Sequence, residues 1–378
     1  MRDNQISTDI EHASWCEVFP ARIADNLKLA QGLLPEGAQL LAVLKADAYG
    51  HGIDRVVPII RDLGVQYVGV TSNSEARAVR NAGFAGTIMR IRTATSREIV
   101  GALPDQIQEQ VGSLYTARTV KELTRKGTQI EGVHLTINAG GMSRDGLELS
   151  TKEGQKACLE ILDLIGPQIV GICSHFPSNT PHDLAASNAQ FQKDVDWIFA
   201  HSALRRADVK VHAGSSLSLV SEQEVTTELF RCGAILYGIV SQDLGFQPTM
   251  ELKSRVTNLA TYPKDSTIGY DRATILQDDR RIANISIGYA NGIRRDFFDQ
   301  SAVLIRGQRV PVLGKISMNT ITADVTDVPE ISIGDEVVVF GQQGTARIDN
   351  TSMEHQANTI MADVFADWGL RNHRIYAG

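Results

Sequence analysis

The strongest constraint on this chain is a rhythm that holds from residue 15 to residue 247 and then stops. Short apolar β-rich runs, Leu40–Leu44, Tyr67–Thr71, Thr87–Ile91, Val133–Ile137, Ile169–Cys173 and Val209–Val211, alternate with amphipathic helical stretches. Asp54–Leu63 and Ser74–Ala82, the latter closed by Gly83, are two such stretches. Strand followed by helix, repeated, implies parallel pairing through right-handed crossovers. Roughly 230 residues of this pattern suit an α/β fold, the (β/α)8 TIM barrel, whose usual size is about 250 residues. From residue 248 turns replace the helices, around the strands Ile282–Ile287, Ala302–Ile305, Val310–Val312, Thr320–Val325 and Val337–Phe340. The expectation is a barrel over 15–247 and a β-rich C-terminal domain over 248–378, with residues 1–14 packing on that domain.

Charge and cysteine usage narrow the function classes. A net charge of −7 offers no polyanion footprint, so no nucleic-acid partner is expected. Cys16, Cys158, Cys173 and Cys232 stand singly, without the spacing of a zinc set or a redox pair, so no metal is expected. The N-terminal stretch lacks an apolar core, and no run approaches the ~20 apolar residues of a membrane helix. A cytoplasmic chain without a membrane partner is expected, or a periplasmic one had a leader been removed.

The most informative segment is Ala42-Val43-Leu44-Lys45-Ala46-Asp47-Ala48-Tyr49-Gly50-His51-Gly52. It sets a lysine at the end of the first barrel strand, on the face where such barrels hold their active sites. Partial desolvation there lowers a lysine pKa and makes the amine competent for Schiff-base chemistry. Tyr49 and the small residues after it add a phosphate-reaching hydroxyl and a compact loop.

This segment resembles the cofactor-lysine motif of the alanine racemase family, the fold-type III pyridoxal-phosphate enzymes, and later landmarks recur in order across nearly the whole chain. The resemblance implies pyridoxal 5'-phosphate as cofactor, held by Lys45, with Tyr49 on its phosphate. His212-Ala213-Gly214-Ser215-Ser216 is similar to the family's sixth-strand segment, which implies Ser216 on the phosphate. Arg231-Cys232-Gly233-Ala234 resembles the family's Arg-Pro-Gly motif, with Cys232 in place of proline. By that likeness Arg231 faces the pyridine nitrogen and the Gly233 and Ala234 amides reach the phosphate. His175 and His212 are read as supports that orient Arg231. Gly288-Tyr289-Ala290-Asn291-Gly292 resembles the motif that donates a catalytic tyrosine from the other subunit. Racemisation needs a base on each face of a planar carbanion, and Lys45 and Tyr289 are the two candidates. Arg144, Met318, Asn319 and Tyr270 match substrate-binding positions, and a homodimer with shared sites acting on free amino acids is implied.

Departures from a plain alanine racemase point to a broader range. Thr136 stands where alanine racemases have a lysine, often carbamylated; broad-specificity relatives use a chloride ion there. Ala362 takes the place of a tyrosine at the substrate gate. Asn138, Pro177 and Asn319 follow the pattern of broad-spectrum amino-acid racemases, whose usual cysteine pair is matched here by Leu41 and Tyr67. The expected activity is interconversion of L- and D-amino acids over a broad range. The alternatives are an alanine-specific racemase supplying D-alanine for cell wall, a decarboxylase on the same barrel, and a non-enzymatic pyridoxal-phosphate carrier.

Overall fold

The computed structural model describes residues 12–297 and 301–377, which divide into two compact units. One is Ala21–Gln247. The other joins the chain up to Pro20 with the chain from Pro248 onward. The first strand, β1 (Ser14–Val18), falls in the second unit. A barrel starting at residue 15 is therefore corrected: the barrel unit begins at Ala21, because β1 finds its partners elsewhere.

The barrel strands are β2 (Gln39–Val43), β3 (Tyr67–Val70), β4 (Thr87–Thr93), β5 (Ile107–Val111), β6 (Val133–Thr136), β7 (Ile169–Cys173), β8 (Lys210–His212), β9 (Gly214–Ser215) and β10 (Leu229–Cys232). All pair in parallel, in the order β8-β7-β6-β5-β4-β3-β2-β10-β9. Only Ala213 separates β8 from β9, so the two act as one interrupted strand and the sheet closes on itself with eight positions. Serine or threonine caps the helices that follow several strands: Ser72, Thr95, Ser113, Thr151 and Thr180 each accept a backbone N–H from the first helical turn. The outer faces of β6 and β7 bury Val133, Leu135 and Ile172 against Ile161, Ile165, Phe191 and Val195 of the helices.

Inside, the barrel has two characters. Leu41, Val43 and Met89 form an apolar cluster with Cys173. The opposite wall is polar, with buried Gln110, His134, Thr136 and His212. Lys210 on β8 donates to Gln39 Oε1 at 3.1 Å and lies 5.6 Å from the Tyr67 ring, which places it across the interior.

The second unit is built on β11 (Met250–Tyr262), with the short hairpin β12 (Thr267–Ile268) and β13 (Thr274–Ile275). It continues through β14 (Arg280–Ile285), β15 (Ala302–Ile305), β16 (Gln308–Leu313), β17 (Ile321–Asp324), β18 (Glu336–Gln343), β19 (Ala346–Ile348) and β20 (His373–Tyr376). β1 pairs antiparallel with β11 and parallel with β20. β18 pairs with both β15 and β11, which closes a six-stranded ring through β14, β17 and β16. The strand β11 is 13 residues long, beyond the short strands expected, because its second half is largely exposed and lacks an apolar signature. Two helices, Asn350–Ala357 and Met361–Arg371, also belong here; Phe365 and Trp368 of the latter pack on Phe340 of β18.

One interior position tests the barrel packing. A Cβ on Gly69 of β3 would lie 2.6 Å from Leu41 Cδ2 and 3.1 Å from Ile91 Cγ2. Gly69→Ala should destabilise the protein by about 1–3 kcal/mol through overpacking, read as a lowered urea midpoint at unchanged slope.

Candidate active site

A cavity of about 270 Å³ opens where the barrel strands end, and Lys45, Tyr49, Arg144, His175, Ser216, Arg231, Gly233 and Ala234 all line it. His212, read as a support for Arg231, does not line the cavity; it is fully buried behind Arg231.

Lys45 follows β2 and opens a left-handed turn rather than simply ending the strand. Ala46, Asp47, Ala48 and Tyr49 all have φ between 53° and 56°. Such a conformation costs an L-residue roughly 1–2 kcal/mol, so neighbours must hold it. Glu75 Oε1 accepts from the Ala46 N–H at 2.8 Å, and Asp47 Oδ1 accepts from the Ile53 N–H at 2.8 Å. The buried His51 ring places Nδ1 2.9 Å from Ala48 O and stacks on Tyr237. Lys45 counts as exposed by surface area, yet that surface opens on the cavity it lines. Burial, then the charge of Arg144, lowers its pKa, while Glu75 opposes the shift.

The turn aims Tyr49 at a set of donors. A Cβ on Gly233 would lie 2.6 Å from the Tyr49 hydroxyl, so only glycine fits beneath it. The Gly233 N–H donates to Ser216 Oγ at 3.0 Å, which leaves the serine's own proton to donate. Burial, then Cys232, pushes the Tyr49 phenol up to about 12, so it stays a donor. The Tyr49 and Ser216 hydroxyls, gathered beside Gly233 on one small concave surface, are donors of the kind a phosphate requires.

Arg231 commits both terminal nitrogens to the protein. Nη1 meets His212 Nδ1 at 3.0 Å, and Nη2 donates to Ser174 O at 2.7 Å and meets His175 Nδ1 at 3.1 Å. His175 is exposed by surface area but lines the cavity, and desolvation there, then Arg231, lowers its pKa to about 3. Arg144 pairs with Asp145 at 3.2 Å, and Asp145 accepts from the Thr93 hydroxyl at 2.8 Å. A carboxylate thus stands beside Arg144 where Thr136 supplies none. Thr136 and Gln110 both lie 3.5 Å from the Cys173 sulfur. Among the described residues no group of three or more potential metal ligands occurs, and all four cysteines are free and buried. No described helix is long and apolar enough to cross a membrane.

In the other unit Tyr289 and Met318 are brought together. The Tyr289 N–H donates to Ser317 O at 3.0 Å and the Ala290 N–H to Met318 O at 2.9 Å. A Cβ on Gly288 would meet Ser317 O at 2.3 Å, so this approach depends on glycine. Tyr289, Met318 and Tyr270 expose 38%, 54% and 60% of their surface, and Asn319 is exposed as well. Ala362 is half-buried near the start of the last helix. Sequence reading missed Glu75, His134, Gln108 and Asn179. Only Glu75 carried a local signal, the capping box begun by Ser72.

The description "Alanine racemase, N-terminal domain" matches residues 19–241, and "Alanine racemase, C-terminal domain" matches residues 249–376. The chain belongs to the alanine racemase family. It is 39% identical over 363 residues to the broad specificity amino-acid racemase of Pseudomonas putida, covering 96% of this chain and 89% of that one. With the lysine racemase of Proteus mirabilis it shares 36% over 371 residues, covering 98% and 91%. The fold matches the alanine racemase of Bacillus anthracis with bound L-Ala-P at a TM-score of 0.88 and 23% identity, covering 98% and 96%.

The buried histidines give this family member a pH signature. Burial first, then Arg231 and Lys210, lowers His134 to about 3. Below an unfolded-state value of about 6.5 the unfolded chain binds a proton that folded His134 refuses, so stability falls as pH drops from there towards 3. One such group contributes a slope of about 1.4 kcal/mol per pH unit. Urea unfolding between pH 6.5 and 4.5 should show His134→Gln losing about that much slope relative to wild type. Equal slopes would contradict a neutral buried His134.

Proposed function

We propose that this chain is a pyridoxal 5'-phosphate-dependent racemase of broad amino-acid range, with Lys45 and Tyr289 as its two bases. The observation that carries the reading is the convergence of Lys45, the donors Tyr49, Ser216, Gly233 and Ala234, and Arg231 on one cavity. The donor set fits the cofactor: hydroxyls and amides for a phosphate, a lysine with lowered pKa for a carbonyl carbon, and a guanidinium for a ring nitrogen. When bound, the cofactor supplies an electron sink that acidifies the substrate's α-proton.

The chain's own residues do the rest. Lys45 Nζ anchors the cofactor and moves the α-proton on one face. The hydroxyl of Tyr289 of the partner subunit moves it on the other, since a single base returns a proton to the face it left. Arg144 binds the substrate carboxylate, and Met318, Asn319 and Tyr270 of the partner subunit border the substrate. Arg231 cannot surrender its proton, so it would meet the cofactor's ring nitrogen as a donor and would moderate the electron sink that the cofactor would supply. His175 and His212 orient Arg231, and a homodimer completes each site.

Breadth of range is supported by Thr136, Ala362, Asn138, Pro177 and Asn319, and by relatives named as broad specificity and lysine racemases. Added methylenes change discrimination by only about 1–3 kcal/mol, so the range widens gradually. A screen of L-amino acids for the D-isomer should show lysine, arginine, methionine or glutamine turned over at rates comparable with alanine. Aspartate and β-branched residues should do poorly, and Ala362→Tyr should depress the long substrates most. Turnover of alanine alone defeats the broad reading.

A second experiment addresses the shared site. Lys45→Ala and Tyr289→Phe should each be nearly inactive, and mixing them should restore partial activity, because one hybrid site carries both bases. Lack of recovery despite demonstrated subunit exchange overturns the two-subunit assignment.

A further inference from the structure

Behind Arg231 a row of side chains crosses the barrel wall, and its protons have one consistent arrangement. A guanidinium has five donors and no acceptor. Arg231 Nη1 lies 3.0 Å from His212 Nδ1, so that nitrogen is the unprotonated one. In a neutral ring the proton then sits on Nε2, which is 3.0 Å from His134 Nδ1. His134 must accept there, so its proton sits on Nε2, 2.9 Å from Gln108 Oε1. The reverse arrangement places two N–H groups face to face at Arg231.

Both rings are buried, at 0% and 2% exposure, and each ring nitrogen has a partner. Burial, then the neighbouring positive groups, keeps the two imidazoles neutral.

A second observation comes from the neighbouring strand. Gly171 on β7 is the register partner of His134 on β6. A Cβ there would lie 2.0 Å from His134 Nδ1. Gly171 is absent from the residues of positive φ, so backbone geometry does not demand glycine at this place. The imidazole does. Gln108, His134 and Gly171 do not line the cavity, and nothing in the functional reading above uses them.

We propose that Gln108 and His134, in the space left by Gly171, are positioning residues that fix the tautomer of His212 and so keep every contact of Arg231 an acceptor. The proposal rests on Arg231 serving the cofactor ring, as set out under the proposed function. A His212 ring free to protonate Nδ1 turns a donor on Arg231, and the guanidinium then shifts from its place at the cavity wall. The relay thus sets where the cavity's fixed positive charge stands, without touching substrate or cofactor.

The test is 15N NMR of the full chain labelled at histidine, recorded with and without pyridoxal phosphate, beside steady-state kinetics. In wild type, His134 and His212 should both be neutral with Nε2 protonated. In His134→Leu the His212 signal should become a mixture of tautomers. There kcat should fall about tenfold with KM little changed, the lower end of the losses seen when partners behind metal ligands are removed. His134→Gln offers an oxygen to His212 and should restore both the single tautomer and most of kcat. Should His134→Leu fail to fold, Gln108→Leu carries the same comparison. Protonated Nδ1 or an imidazolium in wild type overturns the relay. So does a variant whose His212 tautomer mixes with kcat untouched, or whose kcat falls with the tautomer unchanged. Expected tautomers in a wild-type protein without racemase activity would instead strike the functional reading and leave the relay standing.

Discussion

A guanidinium set in the wall of a barrel cannot be discharged, so everything around it must accept. Arg231 imposes that condition on its surroundings. The carbonyls of Ser174, His212 and Ala213 turn to it at 2.7, 3.3 and 3.3 Å. Ala213 is the residue at which the seventh strand position breaks into β8 and β9. Its carbonyl serves the arginine, and its N–H donates to the Thr227 hydroxyl instead of a ladder partner. The break in the sheet thus falls where a backbone carbonyl turns to the guanidinium. The two imidazoles that meet Arg231 are neutral for the same reason, since a charged ring has no acceptor to offer.

The end of the neighbouring strand, β2, depends on a conformation most side chains avoid. Four consecutive left-handed residues after Lys45 persist because one carboxylate serves two elements. Glu75 Oε1 holds the Ala46 N–H, while Oε2 accepts from the backbone of Thr71 at 2.7 Å and of Ser72 at 3.1 Å. The same side chain that caps a helix fixes the turn carrying the lysine. From the other side, the Tyr237 hydroxyl donates to Val43 O at 3.2 Å and its ring backs both His51 and Tyr49. Strain of this kind survives only where neighbours over-determine it, and here it sets the Tyr49 hydroxyl over Gly233.

Strand–helix alternation made the barrel legible, because buried parallel strands read as continuous apolar runs. β5 was missed since Ile107-Gln108-Glu109-Gln110-Val111 is polar at its centre: Gln108 and Gln110 serve the interior, and Glu109 pairs with buried Arg90 at 2.7 Å. β10 went unread as a strand because Arg231 interrupts a run of only four residues. In both places function removed the apolar signal. The site was legible where a motif is contiguous, as at Lys45–Tyr49 and Arg231–Ala234. Gln108, His134 and Gly171 come from three strands, and only the sheet register brings them together.

The cavity carries more positive than negative charge. Lys45, Arg144 and Arg231 line it with a single acidic partner, Asp145, in a chain whose net charge is −7. A local excess of positive charge against an acidic background concentrates small anions where it is exposed. On the proposed reading that excess is matched by a phosphate and a substrate carboxylate, groups common to every amino-acid substrate. The charge cluster, on that reading, serves what all substrates share. Recognition of the variable side chain then falls to groups outside this charge cluster. Met318, Asn319 and Tyr270 are exposed on the β unit, and Ala362 is a small residue at the start of a helix there. Lining of this sort excludes by size and shape rather than by charge. On that reading substrate range is set by uncharged residues of both units, Thr136, Asn138 and Pro177 in the barrel and Asn319 and Ala362 in the β unit, while the charge cluster is left unaltered.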